Sequence, residues 1–239
     1  MALTQINPAL FAGSSNTTAV IQSNGTTAVT VDSSQNVGIG TSSPLRKFHV
    51  KGSGNTSQFE STSSSGYVYI GDSTSSSIDN QGIGSVGNNL SVLVGGSERM
   101  RINSSGYVTM PYQPAFYATT TSSGTVSGST VIPFNSTVVN IGSCFNTSTY
   151  RFTAPVAGTY MFIAQPSFNN AAAARVSIRK NGSYYFEYEG ETTTSSWLTT
   201  TFGSLITMAV NDYVDVYNGN GSLAYDSPRW MGFYGYLIG

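Results

Sequence analysis

The chain has 239 residues and a formal net charge of -1 at pH 7, and only 9% of its residues are charged. An ordinary globular domain carries about a quarter charged residues. Here Ser, Thr, Gly and Asn stand in their place, which disfavours helices and favours strands and turns. The nearly neutral charge gives no electrostatic basis for binding nucleic acid or an anionic membrane, so we expect neither partner.

The cysteine count and the first residues exclude two further classes of protein. Cys144 is the only cysteine, so no intrachain disulfide can form and a disulfide-stabilised secreted domain is not expected. Residues 1–8 lack the basic segment and the apolar run of a signal peptide, and no apolar run is long enough to cross a bilayer. We therefore expect synthesis in a cytosol and, for any role outside the cell, release by a route other than secretion.

The aromatic residues divide the chain into two parts. Few of them lie before Tyr112, so only the second part can bury an ordinary monomeric core. Pro111 and Pro114 indicate a stiff, extended connection between the parts. We predict three regions, which are a terminal segment at 1–30, a β-rich region of short strands at 31–111 and a globular domain at 112–239.

The first part contains an internal repeat of strand, polar turn and strand. One copy spans residues 29–40 around the turn 32–36, and the other spans residues 100–110 around the turn 103–107. Such thin strands bury little by themselves, which leaves two interpretations: a disordered segment, or a shaft in which several chains wrap together. The regular alternation of Val and Ile favours the shaft, because disordered segments are poor in these residues.

The second part has the pattern of consecutive antiparallel strands. Lys180-Asn181-Gly182-Ser183 predicts a hairpin, because Asn-Gly tolerates a positive φ at both central positions. Asn211-Asp212 predicts a weaker turn. The predicted strands are 131–134, 138–141, 150–152, 160–165, 175–179, 184–188, 197–210, 213–217 and 233–238.

The stretch 152–162 is the strongest indication of self-assembly. After a Pro/Gly turn, Tyr160 and Phe162 fall on one face of the next strand, and Met161 and Ile163 fall on the other. A strand that is apolar on both faces has no side for water. We therefore predict that one face lies in the core and that another copy of the chain covers the other face.

The last strand has the same property. Phe233 and Leu237 share one face, and Tyr234, Tyr236 and Ile238 share the other. We assign the tyrosine face to subunit contact, because aromatic rings with polar tips suit a buried protein–protein surface. The alternative is a platform on which sugar ligands stack. The predicted subunit-contact residues are Met161, Ile163, Tyr234, Tyr236 and Ile238.

Five motifs of the second part occur in the order found in a known family. They are residues 113–118 (QPAFYA), 152–162, 180–182 (KNG), 211–214 (NDYV) and 233–237 (FYGYL). Together they resemble the globular head domain of complement C1q, which shares the tumour-necrosis-factor-like jelly roll, over residues 112–239. The resemblance implies a ten-strand jelly-roll sandwich packed as a tight homotrimer. One departure is Asn211, where that family usually has glycine.

Two motifs of the first part resemble another family. Residues 36–44 (NVGIGTSSP), followed by 47–50 (KFHV), are similar to a short repeat of bacteriophage tail-fibre and appendage proteins. Residues 98–106 are similar to another part of that repeat. The resemblance implies a thin trimeric shaft whose segment 1–30 attaches to a tail or capsid protein of the virion, with the head pointing outward.

Patterns that could carry chemistry have simpler explanations. Residues 82–87 match a dinucleotide-binding glycine pattern, but no helical pattern follows them to hold the phosphates. His49 is the only histidine and lies in the fibre-like repeat, and one histidine with one cysteine excludes a conventional zinc site. We expect no catalytic residue, no metal ion and no cofactor.

Three carboxylates, Glu187, Glu189 and Glu191, alternate along one predicted strand, which places neighbours about 7 Å apart on one face. A calcium site and a pair of glycosidase acids are both possible interpretations of this spacing. A solvated sheet edge is the interpretation that we favour.

In the resembled fold the last strand ends at the base, where the shaft would enter. This resemblance, with the parity of antiparallel strands, implies that the loops 167–174, 189–196 and 218–228 lie at the end of the sandwich away from the shaft. Their neutral hydrogen-bonding groups, few acids and one tyrosine suit carbohydrate or polar protein loops better than an anionic polymer. The predicted receptor-contact residues are Asn169, Asn170, Glu191, Asn218, Asn220, Tyr225 and Asp226.

These features predict an all-β, homotrimeric fibre protein of a virion, made in the host cytoplasm and exposed on the particle surface. Its head is expected to bind a host-surface polysaccharide or protein without chemistry, with weak contacts multiplied by the trimer. The second interpretation is a structural attachment protein whose head only holds three chains together, and the third is a polysaccharide depolymerase. Neither a nucleic-acid partner nor membrane insertion is expected.

Overall fold

The structure, a computed structural model, describes residues 18–23, 25–54, 56–75, 77, 80–169, 174–190, 197–220, 223–225 and 230–239. All 24 of the helices and strands found in these ranges are β-strands. Within this described part, no helix has the length and apolar character of a membrane span. The all-β class predicted from the composition is therefore confirmed.

The chain forms two compact units. The first contains the described residues up to Val68 with Gly84–Gly87, and the second contains Tyr69–Ile83 with the described residues from Asn88 onward. The strands of the first part of the chain are β1 (Ala19–Ser23), β2 (Thr26–Val31), β3 (Val37–Ile39), β4 (Phe48–Val50), β5 (Ser65–Tyr69), β6 (Gly82–Val86), β7 (Asn89–Val94), β8 (Ser97–Ile102) and β9 (Val108–Thr109). Strands β1 to β4 form a sheet in chain order, in which only β3 and β4 are parallel. Strands β7, β8 and β9 form an antiparallel meander.

The two copies of the sequence repeat form the same turn. One copy joins β2 to β3 and the other joins β8 to β9. In each turn, the side-chain oxygen of the first residue accepts hydrogen bonds from the backbone N–H groups two and four positions later, at 2.9 Å for Asp32 and 3.0 Å for Asn103. The repeat seen in the sequence is thus a repeated hairpin closed by an Asx side chain.

The described residues before Phe116 bury no large hydrophobic side chain. The exposed large hydrophobic residues of this region are Val20, Ile21, Ile39, Leu45, Phe48, Phe59, Val68, Tyr69, Ile70, Ile83, Leu90, Val94, Tyr107, Val108, Met110 and Tyr112. Burial of apolar surface must offset the entropy lost when a chain becomes ordered. A single copy of this region therefore lacks the core that an ordered domain needs.

The second part of the chain is a two-layer sandwich. The front sheet contains β10 (Ala115–Thr119), β13 (Ser136–Ile141), β16 (Gly158–Gln165), β21 (Phe202–Met208) and β24 (Gly232–Leu237), in the order β13-β10-β24-β16-β21. The back sheet contains β14 (Phe145–Asn146), β15 (Arg151–Thr153), β18 (Ala174–Lys180), β19 (Ser183–Gly190) and β22 (Tyr213–Asn218), in the order β14-β15-β22-β18-β19. A short β12 (Thr130–Val131) also pairs with β22. The two five-stranded layers are the predicted ten-strand jelly roll.

Aromatic rings fill the space between the two sheets. The ring of Phe116 lies 4.9 Å from those of Phe145 and Phe233 and 5.3 Å from that of Phe152, measured between centroids. A Cβ atom at position 235 would come within 2.5 Å of the Phe116 ring, so β24 requires Gly235 where it crosses this cluster. The cluster confirms that the aromatic-rich part of the chain holds the core.

Two predicted turns meet at one end of the sandwich. Asn181 and Gly182 connect β18 to β19 with φ angles of 51° and 81°, which confirms the Asn-Gly hairpin. Asn211 has a φ of 69°, a left-handed conformation that glycine and asparagine tolerate best. The Asn181 amide donates a hydrogen bond of 2.7 Å to Asp212 Oδ1, and Lys180 Nζ lies 2.9 Å from Asp212 Oδ2.

The chain enters and leaves the sandwich at a common end. The amide of Gln113 donates a hydrogen bond of 2.7 Å to the carbonyl of Leu237, and the Thr159 N–H donates one of 2.7 Å to the carbonyl of Gly239. Strand β16 starts at this end and reaches Gln165 at the other, which we call the apical end.

The prediction of one continuous strand over 197–210 is wrong, because the segment forms β20 (Trp197–Thr199) and β21 in different sheets. Pro166 has no N–H group and interrupts the opposite strand, and the Thr200 N–H donates to its carbonyl at 3.2 Å. Beyond this interruption, β20 pairs with β17 (Ser167–Asn169). Strands β23 (Leu223–Tyr225) and β11 (Gly124–Val126) complete this apical sheet, in the order β11-β23-β17-β20.

A similar interruption shortens the predicted strand 131–134. Only Val131 of these residues belongs to a strand, the two-residue β12. Pro133 cannot donate to a neighbouring strand, so the ladder ends before it.

The back sheet contains a fully buried carboxylate, Asp215. Its Oδ1 lies 2.8 Å from Nε of Arg179, and its Oδ2 lies 3.2 Å from Nε of Arg151. The two guanidinium groups also cover the rings of Tyr213 and Tyr217, at 4.1 Å and 3.6 Å from the ring centroids. One buried acid thus holds two arginines across three adjacent strands.

We expect Asp215→Ala to lower the free energy of unfolding by about 3 to 5 kcal/mol, because two guanidinium groups would lose the buried acid that they share. The control is Glu189→Ala on β19, whose side chain is 60% exposed, and which should cost less than about 1 kcal/mol. Urea unfolding at one protein concentration measures both changes. Equal effects of the two substitutions would contradict this assignment.

The turn at Asp212 predicts a pH dependence. Hydrogen bonds from Asn181, Lys180 and the Ala209 N–H lower the pKa of Asp212 to about 2, against about 4 in an unfolded chain. The ionised group therefore stabilises the fold above pH 4, and this contribution is lost as the pH falls towards 2. We expect the melting temperatures of the wild type and Asp212→Asn to differ most near neutrality and to converge towards pH 2. A difference that does not change with pH would contradict the prediction.

Candidate functional site

The outer side of the front sheet is an apolar surface. Cross-strand neighbours form two rows on it, which are Val139, Tyr117, Tyr234, Ile163 and Gly203, and Ile141, Ala115, Tyr236, Met161 and Leu205. We call these ten residues the front face. None of them is charged, and Tyr236 and Leu205 are 49% and 54% exposed in the single chain.

A tyrosine pair lies at the centre of the front face. The rings of Tyr117 and Tyr234 stack with their centroids 4.5 Å apart and their planes at 18°. Burial, with a smaller contribution from Tyr117, raises the pKa of Tyr234, so its hydroxyl is protonated at neutral pH. The pair is a rigid, uncharged aromatic surface with polar tips, as is typical of interface cores.

The structure brings together the predicted subunit-contact residues. Met161, Ile163, Tyr234 and Tyr236 all belong to the front face. Ile238 follows β24 and is 52% exposed, and its N–H donates a hydrogen bond of 2.8 Å to the carbonyl of Thr159. Their contact with another copy of the chain stays a prediction.

The apical end holds the described members of the predicted receptor-contact set. Asn169 and Tyr225 are half-buried and lie in the apical sheet, where β17 pairs with β23, and Asn220 is exposed beyond β22. The pairing brings together the described parts of two of the predicted loops, 167–169 and 223–225. Asn170, Glu191 and Asp226 lie outside the described residues.

Asn218 corrects one receptor-contact expectation. It is fully buried, and its amide donates hydrogen bonds of 3.3 Å and 3.0 Å to the carbonyls of Val126 and Ser127. Its Oδ1 accepts a hydrogen bond from the Asn220 N–H at 3.2 Å. Asn218 therefore ties the loop before β12 to the end of β22 and offers no surface to a receptor. The sequence placed it in a loop, whereas it closes β22.

The apical end also has a pocket that the sequence does not predict. Ser167, Trp197, Thr199 and Trp230 line a cavity of about 190 Å³. Trp197 and Trp230 are the only tryptophans of the chain, and they are 48% and 45% exposed. The sequence predicts one long strand over 197–210, in which nothing distinguishes Trp197 from a core residue.

The acidic residues of β19 are paired with an arginine. Glu187 Oε1 and Glu189 Oε1 lie 3.4 Å and 3.5 Å from the guanidinium nitrogens of Arg175, and Ser177 donates a hydrogen bond of 2.8 Å to Glu187. Glu191 lies outside the described residues. Within the described part of the chain, no group of three potential metal ligands occurs. The arginine supplies the positive charge that a calcium ion would otherwise bring.

The other candidates for chemistry have structural roles. Burial raises the pKa of Cys144 to about 11, so its thiol is not the ionised nucleophile that catalysis needs. His49 Nδ1 accepts a hydrogen bond of 3.2 Å from the Leu45 N–H. A glycine turn and strand β7, rather than a helix, follow β6, so the glycine pattern at 82–87 has no helix N-terminus for phosphates.

Parts of this chain are similar to known proteins. The curated relatives include "Complement C1q tumor necrosis factor-related protein 3" of human and of mouse, each 33% identical over 113 residues. The match covers 45% of this chain and 44% of each relative, so the chain spans less than half the length of the curated relatives it matches. Among solved structures, the globular domain of a zebrafish complement 1qA protein matches with a TM-score of 0.47 and 18% identity, over 53% of this chain and 98% of that one.

The family itself is shown by a sequence model that covers more than half of the chain. The model of the C1q domain matches residues 115–238, from the first strand of the front sheet to the end of the last. Domains of this family are non-enzymatic and typically form trimers. The chain therefore belongs to the C1q domain family.

Proposed function

We propose that this protein is a homotrimeric fibre protein of a bacteriophage whose C-terminal head binds a glycan receptor on the host surface. The observation that carries the proposal is the contrast between the two parts of the chain. The described residues before Phe116 bury no large hydrophobic side chain and expose many of them, and they precede a domain of a trimer-forming family.

The trimer follows from surfaces that one copy leaves uncovered. The front face is uncharged and apolar, and exposing Tyr236 and Leu205 to water has no compensating interaction among the described residues. The strands before the head also expose apolar side chains. Three copies held together by the heads would bury these side chains against one another. Each of the two surfaces would then be buried against other copies of the chain.

The phage context rests on the first part of the chain. The motifs at 36–44 and 98–106 resemble repeats of phage appendages, and the structure gives the two repeat copies the same Asx-closed hairpin. The matched relatives are human and mouse proteins and align over less than half of the chain. The proposal therefore places the head of a widespread family on a viral shaft, attached to the virion through segment 1–30 and exposed on the particle.

Receptor binding is proposed for the apical end because the other end is occupied. The chain enters and leaves the sandwich together, at Gln113 and Gly239, so a shaft would join there. The apical end carries the half-buried Asn169 and Tyr225 and the exposed Asn220, which are neutral hydrogen-bonding groups. Such groups suit a glycan, and a trimer on a particle with many fibres would multiply weak contacts.

We expect Tyr236→Lys to convert the trimer to monomers, because it buries an unpaired charge in the front face. The matched control is Tyr184→Lys on the back sheet, where the tyrosine is 60% exposed, and this variant should stay trimeric. Sedimentation equilibrium at micromolar concentration measures both. A wild type that is monomeric, or a trimeric Tyr236→Lys variant, would contradict the proposed assembly.

Receptor binding is tested with the purified full-length protein and cells on which the particle that carries it forms plaques. We expect the protein to bind these cells and to slow adsorption of the particle. Asn220→Ala combined with Tyr225→Phe should weaken cell binding while the protein stays trimeric. Binding absent from the wild type, with the protein still found on purified particles, would identify it as a structural attachment protein instead.

A further inference from the structure

Both tryptophans of the chain converge on one small pocket at the apical end. Trp197 comes from β20 and Trp230 from the segment just before β24, and between them lie Ser167 and Thr199. Each indole is nearly half exposed, although tryptophan gains most when it is buried. We propose that this pocket binds one neutral pyranose ring of a glycan, held between or against the two indoles.

Strand pairing explains how the pocket is built. Ser167 pairs with Thr199 and Asn169 pairs with Trp197, so these four side chains share one face of the β17–β20 ladder. Thr199 Oγ1 donates a hydrogen bond of 2.9 Å to Ser167 Oγ, which fixes both hydroxyls beside the indole. The result is an aromatic surface with polar groups at its edge, on two short antiparallel strands rather than on a loop.

The chemistry of the lining selects the ligand class. A pyranose ring has an apolar C–H face and a rim of hydroxyl groups. In return the pocket offers the two half-exposed indoles and the exposed Thr199, whose hydroxyl is held in place by the buried Ser167. Among the described residues, the four that line the pocket are uncharged, so these four favour a neutral ligand over a phosphate, a carboxylate or an ammonium group. The volume of about 190 Å³ suits one ring rather than a long chain.

Asn169 provides an additional polar group beside the pocket. Its Oδ1 is buried and accepts no hydrogen bond within the described part of the chain. Because this atom is buried, it does not reach a bound sugar, and Asn169 lies beside the pocket as the strand neighbour of Trp197. Asn169 was predicted as a receptor-contact residue, and its pairing with Trp197 gives that prediction a specific neighbour.

This inference deepens the proposed function and rests on it for the source of the glycan, but the pocket is tested separately. Since the chain has no other tryptophan, tryptophan emission, excited at a wavelength that tyrosine does not absorb, reports on this pocket alone. We expect methyl glycosides of glucose, galactose, mannose and N-acetylglucosamine, titrated into the full-length protein, to include one or more that shifts the emission saturably. N-acetylneuraminic acid, an anionic sugar, should give no saturable shift.

Substitutions then assign the binding to the indoles. We expect Trp197→Ala and Trp230→Ala each to weaken binding of the responding glycoside about tenfold or more, and Trp197→Phe to retain most of it. A matched polar change, Thr199→Val, removes the hydroxyl and should weaken binding by a smaller factor. Glycan-array binding provides the readout for these variants, and sedimentation checks that each stays in the wild-type assembly.

The outcomes separate this inference from the proposed function. No saturable shift with any glycoside and no neutral glycan bound on the array would overturn the pocket assignment, as would array binding that both alanine variants retain. Tryptophan variants that lose the wild-type assembly, while the wild type binds no glycan, would identify the pocket as a subunit contact. Cell binding that survives both alanine substitutions would leave the proposed function intact and overturn the pocket alone. Sugar binding that needs both indoles, in a protein that does not bind cells, would support the pocket assignment and overturn the proposed function.

Discussion

The organisation of this protein depends on apolar surface that one copy of the chain cannot cover. In the sandwich, Tyr160, Phe162 and Ala164 of β16 are fully buried. Met161 and Ile163, which alternate with them, face outward beside Tyr234 and Tyr236. A strand with alternating apolar and polar residues could face water on its outer side, but the outward residues of β16 are apolar. In the strands before Phe116 the same imbalance is more severe, since no large hydrophobic side chain there is buried among the described residues. Folding of the chain and self-association therefore draw on the same hydrophobic driving force.

The hydrogen-bonded and charged side chains described in the head hold strands and turns in place rather than perform chemistry. Asp215 joins two arginines across the back sheet, Asn218 ties a loop to the end of β22, and Asp212 links two turns. Arg175 lies between the acids of β19. Each of these groups has its hydrogen-bonding or charge requirement met within the fold, which fits a family whose domains are non-enzymatic. We propose the front face for subunit contact and the apical end for receptor binding.

The topology gives the two ends of the sandwich different surroundings. Because the chain enters and leaves at Gln113 and Gly239, that end of the sandwich is committed to the connection with the preceding strands. The interruption at Pro166 moves β17 and β20 out of the main sheets and creates a separate apical sheet. A rigid β-ladder can hold a binding pocket more accurately than a loop can, and this ladder presents Trp197 and Thr199 next to Ser167. One proline thus decides where the sandwich stops and the candidate binding surface begins.

The sequence by itself determined the all-β class, the repeated turns, the Asn-Gly hairpin and the side of each strand on which Tyr160, Met161, Phe233 and Tyr234 lie. These are local properties, since strand periodicity and turn chemistry act over a few residues. It also identified the C1q-like head, because motifs kept their order along the chain. Only the tertiary structure decided the fate of Asn218, the break at Pro166 and the meeting of Trp197 with Trp230. Burial and cavity formation depend on which distant strands become neighbours, and no local pattern encodes the partner of Trp197.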